Sequence, residues 1–350
     1  MMKIKYFTIL LLASFALNSC IDEIKLDIDN DQQRLVVDGQ IADSLQVYTV
    51  KVSYSAIIGV GNDNIQTPVP GATVTVLDDA GGSFEFTETS PGVYTKEMKG
   101  EVGRAYHLEV KTADGKSIQS KPTVLRASPP LLPASAEVIQ STTISSNGRP
   151  VSSNKLSLKM NTDVTAEAER PYLRWRAAGE YEFKENYPMA LNTKTCYIKD
   201  NVDFNNIKIF DTHDLAGGVL TDEPFLLTDY NYRFAFMYCF HLLQYSISKE
   251  EYRYWESVQD IVNIDGSLFD PPPGTVQGNL YNINDPREQV LGYFSVAGVA
   301  YRREFVDAIS LLFYVEPKCS SLSFRPQYAE CRECTDIINS SLTKPPYWIP

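Results

Sequence analysis

The stretch GATVTVLDDAGGSFEF, residues 71–86, decides the fold. Ala72, Val74 and Val76 alternate with Thr73, Thr75 and Leu77, which puts the small and branched apolar groups on one side of an extended chain. Asp79-Ala80-Gly81-Gly82 supplies turn residues, and Phe84 and Phe86 return with the same period of two. That is the pattern of a β-hairpin with one buried face. The text on either side repeats it. LVVDGQI (35–41), VYTVKVSYS (47–55) and SPGVYTKEM (90–98) are short β-branched or aromatic runs between turns, and RAYHLEVKTADGKSIQS (104–120) reads as a second hairpin about Asp114-Gly115. A succession of short strands at this spacing predicts an Ig-like β-sandwich over residues 35–126.

RASPPLLP (126–133) marks a stiff boundary, and a second β-rich domain is expected over 127–350. NKLSLKMN (154–161) alternates, and YLRWRAAGEYEF (172–183) sets Leu173, Trp175 and Ala177 against Arg174 and Arg176. NYRFAFMYCFHLLQYSIS (231–248) has no clear period, but its aromatic content favours a buried strand. At Ser248 the period changes. Ser248 and Glu251 have the spacing of a capping box, and Tyr252, Trp255, Val258 and Ile261 recur at helical intervals, so one helix is expected near 248–263. The prolines of DGSLFDPPPG (265–274) stop it. VLGYFSVAGVAYRREFV (290–306) reads as two strands or one bent strand, with Gly292 and Gly298 as bend points.

The N-terminus carries a different signal. Lys3 and Lys5 precede the apolar run Tyr6–Leu17, and Leu17-Asn18-Ser19-Cys20 closes it. The run is shorter than the ~20 residues of a spanning helix and has the order of an exported leader. The closing residues resemble a bacterial lipobox, which makes residues 1–19 a signal peptide, Cys20 the lipid-attachment site (palmitate or a similar acyl chain) and residues 20–34 a tether. Asp22-Glu23 just behind the cysteine resembles a surface-export signal. The expected location is the outer membrane, anchored through Cys20, with the cell surface favoured and the periplasmic face the alternative.

The chain is acidic, with 44 Asp and Glu against 32 Lys and Arg, and the two leader lysines are among those 32. This argues against nucleic acid as a partner. Of the six cysteines, Cys20 is assigned to lipid. An exported chain permits disulfides. Cys239 lies in an apolar run and reads as a small buried hydrophobe, which leaves Cys196, Cys319, Cys331 and Cys334 as disulfide candidates with the pairing open. Cys331-Arg-Glu-Cys334 has redox spacing but lacks the βαβ context that such a pair needs. His107 and His241 read as packing or edge residues, and Asp211-Thr-His213-Asp214 offers too few converging ligands for a metal. Gly59–Asn64 reads as a loop rather than a phosphate or calcium site. Asp43-Ser44-Leu45 fits a short O-glycosylation pattern. No cofactor, no metal site and no catalytic motif is expected.

LVVDGQI, PVPGATVTVLDDAGGSFEF, PGVYT, YHLEVKTADGKSIQS, YSISKEEYRYWE, GSLFDPPPGTVQGNL, VLGYF, CREC and KPPYW occur in this order along nearly the whole mature chain. Together they resemble a Bacteroidetes outer-membrane lipoprotein family of unknown function, whose members are often encoded beside TonB-dependent transporters; the first domain also resembles carboxypeptidase-regulatory-like sandwiches, a likeness of fold that implies no enzyme. The resemblance implies a non-enzymatic envelope protein that assists a TonB-dependent transporter by binding a ligand or the barrel, with Tyr252, Tyr254 and Trp255 as candidate contacts. The alternatives are a surface hydrolase of glycans or peptides with a carboxylate pair, and a structural or adhesive envelope protein.

Overall fold

The computed structural model describes residues 33–56, 66–186, 193–202, 207–262, 275–319 and 328–348. Cys20, the leader, most of the tether and Gly59–Asn64 lie outside the described residues. The protein is mainly β, as the alternation predicts, with one α-helix among the described residues.

The deciding hairpin forms as read. Strand Thr73–Asp78 pairs antiparallel with Ser83–Ser90, Val74 opposite Phe86 and Val76 opposite Phe84. Val74 and Val76 are fully buried and Phe86 nearly so. Asp78 closes the turn, its Oδ1 accepting from the Ala80 amide at 2.9 Å and the Gly82 amide at 2.6 Å. Gly81 takes a φ of 89°, which a residue without Cβ adopts freely. The hairpin about Gly115 also forms, Ala105–Lys111 against Ser117–Ser120. Ser83–Ser90 serves two layers: its first half pairs with Thr73–Asp78, and its second half turns onto Val93–Met98. Gln46–Tyr54 and Leu35–Ala42 continue that second layer. Between the layers Leu35, Val37, Val50, Val52, Leu108 and Val110 are all solvent-free, each stabilising by about 1.5–3 kcal/mol relative to an exposed position.

This core is not complete at residue 126, and the boundary drawn there from sequence needs correcting. Leu280, Val290, Phe294 and Val296 belong to the first core, although they lie in the stretch assigned to the second domain. Leu280–Asn282 adds an edge strand beside Ser117–Ser120. The chain returns because strand Phe294–Val306 is shared. Its first residues pair parallel with Leu35–Ala42, Gly39 beside Phe294 and Ala42 beside Ala297. From Gly298 on it pairs antiparallel with Tyr238–Ile247. Gly298 is the handover point. Its amide donates to the Arg126 carbonyl at 2.9 Å, and a Cβ there would lie 2.2 Å from the same oxygen. It is one strand with a change of partner.

The second unit packs a three-stranded sheet, Leu131–Ile144, Pro150–Asp163 and Val219–Asp229, onto the sheet that contains Tyr172–Lys184 and Tyr238–Ile247. Trp175, Phe234, Tyr238 and Phe240 fill the space between them. The apolar run near 240 is a buried strand, preceded by a single 3-10 turn at Tyr232–Phe234. Gln244, fully buried, ties the linker to this sheet: its side-chain nitrogen donates to the Pro129 carbonyl at 2.8 Å, and its oxygen accepts from Trp175 Nε1 at 2.9 Å. No helix among the described residues is long and apolar enough to cross a membrane.

Candidate functional site

Helix Lys249–Val262 lies across the junction of the two units, and the candidate site is under it. Its N-terminus is half of the expected capping box. Ser248 Oγ accepts from the Glu251 amide at 3.1 Å. The reciprocal arm is absent because the Glu251 carboxylate points inward, accepting from Ser295 Oγ at 2.8 and 2.9 Å and from Trp255 Nε1 at 3.2 Å. Glu251 is fully buried. Burial raises its pKa, and the nearby Arg174 charge with the Ser295 and Trp255 hydrogen bonds offsets part of that rise.

Arg174 stands on the strand face that the helix covers. Leu173 and Trp175 point into the second core, so Arg174 points the other way, as the alternation requires. The helix roofs it, leaving 8% exposed. Its guanidinium lies 3.6 Å from the centre of the Trp255 ring, a cation–π stack that covers one face. Its Nε is buried without a hydrogen-bond partner. Burial pulls its pKa down and the Glu251 carboxylate holds it up. The guanidinium lines a cavity of about 200 Å³ with Trp255, Tyr293, Ser295 and the rim residues Asp38, Thr49 and Arg176. A more open groove of about 580 Å³ follows the other flank of the helix, past Arg253, Tyr254 and Asn279.

The three proposed contact aromatics are half-buried and packed, with none standing free. Tyr252 meets Tyr172 at 4.9 Å between ring centres, Tyr254 meets Tyr293 at 4.8 Å, and Trp255 carries Arg174. Burial raises the Tyr254 pKa to about 12. Trp255 and Tyr254 line the two cavities.

The candidate cysteines pair as Cys196–Cys334 and Cys319–Cys331. Cys331 and Cys334 therefore bond to different partners, which removes the redox reading of CREC. Cys239 is free and buried, and burial raises its thiol pKa to about 12. The histidines occupy ordinary contacts: His107 faces Glu109 at 3.7 Å, His213 Nδ1 meets Asp211 at 2.6 Å, and His241 Nδ1 meets the Tyr301 hydroxyl at 2.6 Å. Among the described residues no three His, Cys, Asp or Glu side chains converge as metal ligands. Asp43 is structural, its Oδ1 accepting from the Val299 amide at 2.8 Å beside the handover point, and Ser44 Oγ lies 3.1 Å from the Tyr48 hydroxyl.

Sequence reasoning missed Arg174, Tyr293 and Ser295. The available signal was the pair Arg174 and Arg176 on the face opposite Trp175. Burial of the first depends on a helix roughly eighty residues later, as the numbering shows. Among known proteins, the chain matches over residues 21–303 the family described as Domain of unknown function (DUF4249). No curated protein matches it.

Proposed function

The chain belongs to the DUF4249 family, a domain of unknown function, and from that premise we propose that it is a non-enzymatic, lipid-anchored envelope protein that binds at the junction of its two β units and assists a TonB-dependent outer-membrane transporter. The observation that carries the reading is the sequence LNSC at residues 17–20, directly ahead of a short acidic tether and a folded β body. Two or three acyl chains on Cys20 at ~0.8 kcal/mol per buried methylene make a lasting anchor. The shared strand Phe294–Val306 supports the binding role, because it holds both walls of the junction in one hydrogen-bonded path. A surface hydrolase is less favoured: of Asp38 and Glu251, only Asp38 lines the cavity.

Affinity purification of the full chain from detergent-solubilised outer membranes tests this. Recovery of a β-barrel transporter, lost with Cys20→Ala, is the expected result. Fractionation of the unmodified protein away from the membrane, or purification without any barrel partner, refutes it.

A further inference from the structure

We propose that the Arg174 cavity is a binding subsite for the carboxylate group of a small organic acid. The first observation is the cavity, about 200 Å³ and walled by both β units and the helix. This is below the ~300–1,000 Å³ of whole small-molecule sites, so it takes an end group. The second is Arg174 itself. It is more than nine-tenths buried, its Nε has no hydrogen-bond partner, and it lines the space. A buried donor left without a partner is costly, and the planar fork of a guanidinium matches a carboxylate in bidentate fashion. Trp255 holds the guanidinium plane from one face at 3.6 Å and leaves its edge for a ligand.

Glu251 is sealed beneath by Ser295 and Trp255 and is not a cavity wall. The Arg174 charge acts on both Asp38 and Glu251. Asp38 and Thr49 at the rim accept or donate to hydroxyl groups on the remainder of the acid. The proposal is independent of the transporter partnership.

The test uses the full mature chain in detergent, with sodium gluconate, its uncharged counterpart sorbitol, and inorganic phosphate as probes at constant ionic strength. Trp255 fluorescence and calorimetry report binding. The expected result is saturable gluconate binding, no response to sorbitol, and weaker binding of phosphate. Arg174→Gln weakens gluconate by roughly tenfold or more, the loss of a charge-assisted pair. Thr49→Phe, a substitution at an exposed rim position, blocks the entrance while keeping Arg174, and decides the matter if Arg174→Gln does not fold. Sorbitol binding equal to gluconate, phosphate binding tighter than gluconate, no saturable binding, or gluconate binding unchanged in Thr49→Phe or in folded Arg174→Gln overturns the proposal.

Discussion

Removing the two disulfides one at a time gives unequal losses whose size follows from where they sit in the chain. Cys196 and Cys334 are separated by 138 residues, Cys319 and Cys331 by 12. All four sulfurs are buried at comparable depth, so replacing either pair by alanine removes similar packing. What differs is the loop each bond closes in the unfolded chain. The chain-entropy relation gives about 5 kcal/mol for the long loop and about 3 kcal/mol for the short one, a difference of ~2 kcal/mol. Both pairs belong to the core of the second unit, and none of the cysteines among the described residues lies in the first core. Trp175, Trp255 and Trp348 all lie C-terminal to residue 126, so their fluorescence follows the second unit while far-ultraviolet circular dichroism follows both. Urea unfolding of Cys196→Ala/Cys334→Ala and of Cys319→Ala/Cys331→Ala, monitored by both signals, measures the two losses. The long-loop variant is expected to lose more, with the fluorescence transition carrying the change. Equal losses, a greater loss from the short loop, or a change confined to the first unit refutes the reasoning.

Further expectations concern the junction and the buried groups. Gly298→Val drives side-chain atoms into the Arg126–Ser128 backbone and should cost about 1–3 kcal/mol by overpacking, seen as a lower thermal midpoint; an unchanged midpoint removes Gly298 as the handover point. Glu251 has a raised pKa when folded, so between its unfolded value near 4.5 and the folded one the native chain holds the extra proton. Stability from this group then falls as pH rises through that window, by at most ~1.4 kcal/mol per pH unit, and Glu251→Gln should abolish that share of the slope. Parallel stability–pH curves for the two proteins would contradict the burial argument. Cys239, with its thiol raised to about 12, should resist iodoacetamide in the native Cys20→Ala chain and react once the chain is unfolded, with mass spectrometry as the readout.

Much of this protein is legible in its sequence because the signals are local. Period-two alternation set the hairpin at 71–86 and the buried strand faces of Leu173, Trp175 and Ala177, since neighbouring side chains on an extended chain must point to opposite sides. The Ser248–Glu251 spacing placed the helix start, because capping acts within one turn. What only the tertiary structure decided are contacts between residues far apart in the chain. The parallel pairing of Gly39 with Phe294, the return of Leu280–Val296 to the first core, and the choice of Cys196 for Cys334 depend on which distant surfaces meet. A local pattern fixes the face a side chain takes but not what covers it. Arg174 shows the limit: alternation alone put it on the polar face, and it is the helix Lys249–Val262, packed across that face, that buries it against Trp255 at the wall of a cavity.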